Sequence, residues 1–141
     1  MKRDYAIYQI SFKILLRKGG KVLFLRSTEE SYIDLPGGRA DNVENKVPLQ
    51  EIIAREVREE LGSKIKYELN KLAFQYRRYS KPRQIYILFT VYKAKYVSGD
   101  VKLSPEHNSY EWINPVTYKF NKKDFEREEE YQAFKEYFGT K

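Results

Sequence analysis

The octapeptide Arg55-Glu56-Val57-Arg58-Glu59-Glu60-Leu61-Gly62 sets three carboxylates within five residues of a chain that otherwise carries an excess of lysine and arginine. At about 100° per residue, Ile53, Val57 and Leu61 fall on one arc of a helix, and Glu51 and Arg58 fall opposite it. The segment therefore reads as an amphipathic helix, with Pro48 in its first turn and Gly62 as its stop. Glu56, Glu59 and Glu60 share a second arc at the flank of the apolar stripe, pointing along the protein surface. Like charges four residues apart, such as Glu56 and Glu60, repel by about 0.2–0.5 kcal/mol. A solvated acidic edge, eased by an Arg55–Glu59 pair, is the ordinary explanation of such a patch. Here the clustering is tight enough that a bound divalent cation explains it better.

Composition narrows what that cation can be. The chain has no cysteine and one histidine, His107, which excludes disulfides, thiolate sites and a multi-histidine centre. Any metal should be hard and oxygen-ligated. With 141 residues, 41% hydrophobic and 16% aromatic, the sequence is expected to form one globular domain over 1–141. Gln9 and Lys13 interrupt the apolar run at the amino terminus, and no later segment approaches the roughly 18 apolar residues of a membrane span. A soluble protein of the cytoplasm, without a membrane partner, is the expectation. The net charge of +7 favours anionic partners, phosphates or nucleic acid.

Periodicity supplies the frame around the helix. Tyr5 to Leu16 and the run "VLFLRS" read as a hairpin across "RKGGK", and "SYIDLPGGRADN" reads as a loop. "IKYELNKLAFQYRRYS" and "QIYILFTVYKAKYV" form a second hairpin across "KPR", and "SYEWIN" a short further strand. From Asn121, a candidate N-cap, to about Phe138 an amphipathic helix is predicted, with Phe125, Phe134 and Phe138 packed on the sheet.

Gly38 to Glu44 and Arg55 to Gly62 resemble the signature of the Nudix hydrolases, G-x5-E-x7-R-E-U-x-E-E-x-G-U with U aliphatic, and the preceding "LPGG" is also typical of that family. Two departures are visible. Ten residues separate Glu44 from Arg55, a three-residue insertion that puts Val47 where the spacing expects a glutamate, and Ser63 replaces the last aliphatic residue. The resemblance covers essentially the whole chain and implies an α+β fold, an α/β/α sandwich with a mixed central β-sheet.

It also implies an activity: metal-dependent hydrolysis of a nucleoside diphosphate linked to another moiety, with Mg²⁺ or Mn²⁺ as cofactor and a nucleotide-type small molecule as substrate. By position, Glu59 and Glu60 are the expected main metal ligands, joined by Glu56 and by a backbone carbonyl of the glycine pair, at Gly38. Glu56 is alternatively the general base, and Arg55 orients a neighbouring carboxylate. Family members sometimes place one more acid in the loop before the final strand, where Glu106 is favoured over Asp100 and Glu111. Arg39, Arg77 and Tyr79 are the expected substrate contacts. His107 reads as a loop hydrogen-bonder and Trp112 as core. RNA 5′-end hydrolysis and non-catalytic nucleotide binding are the rival functions, and a homodimer is left open.

Overall fold

In β1 (Tyr8–Lys18) and β2 (Lys21–Ser27), successive side chains enter two different cores. Phe12, Ile14 and Leu16 join Leu23 and Leu25 on one side, while Leu15 joins Val22 and Phe24 on the other. That is the period of two of strands buried on both faces. The first face is covered by α1 (Leu49–Leu61) through Ile52, Ile53, Val57 and Leu61. The second is covered by α2 (Glu128–Gly139) through Phe134 and Phe138. The result is the expected α+β arrangement, a sheet between two helices. This computed structural model describes residues 2–139, so Met1, Thr140 and Lys141 of the expected domain lie outside the described residues.

The sheet runs in the order β3 (Ile33–Asp34), β2, β1, β6 (Ile85–Ser98), β5 (Lys66–Ser80), with β4 (Gly37–Arg39) added to β1 and β7 (His107–Ile113) to β2. β1 and β6 are parallel and the remaining pairs antiparallel, so the sheet is mixed. β1 and β2 pair only beside their turn, at Arg17–Val22 and Lys18–Lys21. Beyond it β1 takes β4, with Phe12 opposite Gly38 and Lys13 opposite Gly37, while β2 takes β3 and β7. The sheet is thus split along one line, and the residues at the split face a cleft.

Three local expectations need adjustment. The loop before α1 carries two short strands, β3 and β4. β7 begins at His107, two residues before the predicted strand, so His107 is a strand residue and is buried. Asn121 caps a 3₁₀ turn (Lys122–Asp124) instead of the terminal helix, which starts only at Glu128. The reason is a capping box: Asn121 accepts from Lys123, Asp124 accepts from the Asn121 amide, and Arg26 pins Asp124 at 3.0 Å. Phe125 is then extended, and its ring enters the core. Among the described residues no helix is long and apolar enough to cross a membrane.

Phe134 is 2% exposed and its ring meets those of Phe24, Phe74, Tyr76, Phe120 and Phe125 at centroid distances of 5.0–6.3 Å. Phe134→Ala is expected to cost about 3–5 kcal/mol. Urea denaturation should record this as a lower midpoint with an unchanged slope.

Candidate active site

Arg55 organises the acidic face of α1. Its Nε and Nη2 donate in parallel to the two oxygens of Glu44, each at 2.6 Å. Nη1 donates to both oxygens of Glu59 at 3.0 and 3.1 Å, and Nη2 lies 2.8 Å from Glu56 Oε1. One guanidinium therefore ties three carboxylates together, and the fork toward Glu44 is bidentate. The longer spacing is taken up on the outside: residues 42–44 form a 3₁₀ turn capped by Asp41, and residues 45–47, between Glu44 and Pro48, follow it as an exposed turn. Glu44 serves twice, since it also accepts from the Asp41 amide at 2.9 Å. The insertion thus leaves the Glu44–Arg55 contact in place.

The glycine pair sets how close the helix comes. Gly37 has φ +139°, and a Cβ there would collide with the Phe12 carbonyl; a Cβ on Gly38 would collide with the Glu56 carboxylate. Only bare backbone lets β4 lie against both β1 and α1. Glu56 and Glu60 are consequently buried, whereas Glu59 is exposed. This corrects the expectation that all three lie along the surface: Gly38 covers Glu56, and the loop before β7 covers Glu60, with the Ser104 hydroxyl donating to Glu60 at 2.9 Å. That loop is anchored on Thr28, which donates to the carbonyls of Pro105 and Glu106 at 2.8 and 3.0 Å.

A cleft of roughly 620 Å³ opens over these groups. Gly38, Arg39, Glu56, Glu59, Glu60 and Glu106 all line it, and Arg55 stands behind its carboxylates. Arg77 and Tyr79 are not among its lining residues. Arg77 is exposed, donates to the Tyr8 hydroxyl at 3.1 Å and borders a separate depression; Tyr79 packs edge-on against Tyr86. Strand alternation explains the miss, because Arg78, one residue away, is the side chain that reaches the cleft. Asp100 and Glu111 are exposed and do not line it either.

Sequence reasoning also passed over Lys13, Asp34 and His107. Lys13 is 6% exposed, pairs with Asp34 at 3.1 Å and donates to the Gly37 carbonyl at 3.4 Å. His107 Nε2 lies 3.1 Å from Asp34, and its Nδ1, buried and without a hydrogen bond, faces Glu60 at 3.6 Å. Burial pushes Asp34 upward, but Lys13 and His107 more than offset it and leave it at about 2. For Glu56 and Glu60 burial prevails and raises both above the ordinary glutamate value, against the pull of Arg55 on Glu56 and of Lys13 on Glu60. The only advance signal for Lys13 was a charge inside an apolar strand.

Two buried carboxylates pushed upward, an exposed third beside them, and an orphaned imidazole nitrogen aimed at Glu60 form a site short of positive charge. A hard divalent cation fits that donor set. Asp34, Glu60 and His107 also bring ligand atoms within 4.8 Å of one another, although the Lys13 ammonium already faces Asp34 there.

The sequence profile of the NUDIX domain matches residues 8–135. Among solved structures, a MutT protein from Methanosarcina mazei Go1 is 27% identical over 98% of both chains, with a TM-score of 0.72. A MutT NUDIX hydrolase from Burkholderia pseudomallei is 20% identical, covering 92% of this chain and 97% of its own, with a TM-score of 0.70. An ADP-ribose pyrophosphatase from Streptococcus suis is 12% identical, covering 95% and 92%, with a TM-score of 0.64. The last two speak for the fold alone. A comparison with curated protein sequences finds no match.

Two outcomes follow from this geometry. Glu44→Gln, which replaces one charged half of the fork, should lower kcat by about 10–100-fold while leaving the circular dichroism spectrum unchanged. An unaltered kcat would mean that Arg55 needs only Glu59. The Asp34 carboxyl is held below its ordinary 3.8, so the stability it contributes is present above that value and is lost as pH falls toward about 2. Denaturant titrations in chelating buffer between those limits should therefore show a steeper acid decline for the wild type than for Asp34→Asn.

Proposed function

The chain belongs to the Nudix hydrolase family, whose domain spans residues 8–135 of it, and on that premise we propose that it is a pyrophosphohydrolase requiring Mg²⁺ or Mn²⁺ and acting on a nucleotide substrate. The observation that carries this reading is the convergence of Glu56, Glu59 and Glu60 on one cleft whose buried acids lack a full complement of cations.

Glu59 and Glu60 are assigned to hold the metal with the Gly38 backbone, and Arg55 keeps Glu56 and Glu59 from swinging away from it. A bound divalent ion supplies neutralisation of phosphate charge and a lowered pKa for an attacking water. In the hydrolysis the water oxygen bonds to phosphorus, the bridging phosphorus–oxygen bond breaks, and one water proton passes to a carboxylate. Glu56 is tied to Arg55 and packed against Gly38, which favours Glu106, on the cleft rim, as the proton acceptor. Lys13 and Arg39 line the same cleft and supply fixed positive charge for the phosphate oxygens. The +7 net charge favours one second reading, hydrolysis at an RNA 5′ end, which predicts tight and salt-sensitive RNA binding.

Turnover of nucleoside triphosphates, nucleotide sugars, dinucleoside polyphosphates and triphosphorylated RNA, each with Mg²⁺, tests the assignment. Glu60→Gln keeps the side-chain shape and removes the charge, so kcat should fall by at least about 100-fold. The same variant should melt at a higher temperature than the wild type in chelating buffer, because a buried charge is gone. It should also lose the rise in melting temperature that Mg²⁺ gives the wild type. Wild-type turnover in Glu60→Gln at saturating Mg²⁺ would sink the metal assignment.

A further inference from the structure

Besides the helix carboxylates, the cleft is lined by the guanidiniums of Arg39 and Arg78, and Arg78 is held by α2. Arg78 Nη1 lies 3.3 and 3.5 Å from the two oxygens of Glu130 and 3.7 Å from Glu126. Its guanidinium carbon sits 4.8 Å from the centroid of the Phe89 ring. Glu130 is itself buried in α2, so the guanidinium is fixed on two sides by side chains far from it in the sequence. Those carboxylate contacts all go to Nη1, and guanidinium geometry matches phosphate.

Arg78 is not alone. Arg39 lines the cleft beside it and also borders an adjoining groove of roughly 480 Å³ whose far side carries Arg83. Three like charges drawn from β4, β5 and the hairpin tip repel one another, and an anion among them relieves the repulsion. The carboxylates of α1 line the same cleft as Arg39 and Arg78.

We infer that Arg39, Arg78 and Arg83 form an anion subsite for a phosphate beyond the diphosphate that meets the helix carboxylates, so that the substrate is a nucleoside tri- or polyphosphate and not a nucleotide sugar. This rests on the hydrolase reading above. Glu130 and Glu126 are positioning residues, and they act through Arg78. A free nucleoside triphosphate and the 5′-triphosphate of an RNA present the same chemistry to this subsite.

Calorimetry with inorganic tripolyphosphate and pyrophosphate in metal-free buffer separates the subsite from the hydrolytic reading, since neither probe needs turnover. The wild type should bind tripolyphosphate at least about tenfold more tightly than pyrophosphate, and Arg78→Gln should lose about tenfold on tripolyphosphate. Arg78→Lys should recover part of the loss. Arg83 is exposed at the hairpin tip, so Arg83→Gln keeps the fold and must also weaken tripolyphosphate. Glu130→Gln should raise KM for the triphosphate with kcat unchanged, a split that a general loss of folding would not give. Equal affinities for the two anions, or an Arg83→Gln protein that binds like the wild type, would overturn the subsite. A nucleotide sugar turned over with a higher kcat/KM than any triphosphate would overturn the substrate class. If no substrate of any class is hydrolysed while tripolyphosphate binding still depends on Arg78 and Arg83, the hydrolase reading fails and the subsite stands. Salt titration of a triphosphorylated oligoribonucleotide against the free nucleoside triphosphate then decides the source of the triphosphate.

Discussion

Three carboxylates meet one guanidinium at the edge of the helix: Arg55 binds Glu44, Glu56 and Glu59, and Glu60 lies one turn from Glu56 on the same buried flank. Without Arg55 this face would be a run of mutually repelling carboxylates, two of them out of water. Desolvated charge of that kind is destabilising unless paired. The fork toward Glu44 also fastens the 3₁₀ turn that ends at Glu44 to α1, so a local electrostatic need fixes the path of the loop that carries the glycine pair.

That loop in turn decides the shape of the sheet. Gly37 and Gly38 let the backbone of β4 approach both Phe12 and Glu56 more closely than any side chain allows. β4 then occupies the place on β1 that β2 would take in a simple hairpin, and the two strands diverge after Lys18. Lys13 and Asp34 become neighbours at the divergence, and the cleft is the space left between the split sheet, the flank of α1 and the Ser104–Glu106 loop. Charge of both signs lines that space: the carboxylates of α1, and the guanidiniums of Arg39 and Arg78. An anion with bound cations complements both sets, whereas either component alone complements only one.

α2 contributes to the site without reaching the carboxylates. Its buried phenylalanines anchor it to the sheet, and that anchoring places Glu130 behind Arg78. Burial pushes Glu130 up to about 7 despite the neighbouring Arg78 charge. A carboxyl in this position is expensive in stability as pH rises, which is consistent with a residue retained for where it holds its partner.

The sharing of one arc by Glu56, Glu59 and Glu60 follows from 100° per residue, and so do the apolar stripe beneath them and the helix limits near Pro48 and Gly62. The apolar stretches of β1 and β2 likewise announce a strand pair joined at "RKGGK". These are local properties, and the sequence by itself determined them. Whether Arg77 or Arg78 turns toward the cleft depends on which face of β5 meets which layer, and a one-residue difference reverses the answer. Whether Asn121 starts a long helix or a single turn depended on Arg26, ninety-eight residues from Asp124. The same holds for Lys13 with Asp34, brought together by strand order, and for His107 with Glu60, brought together by the packing of α1 beside β7. Tertiary structure alone decided them, because the energy that places such side chains comes from partners with no fixed spacing along the chain.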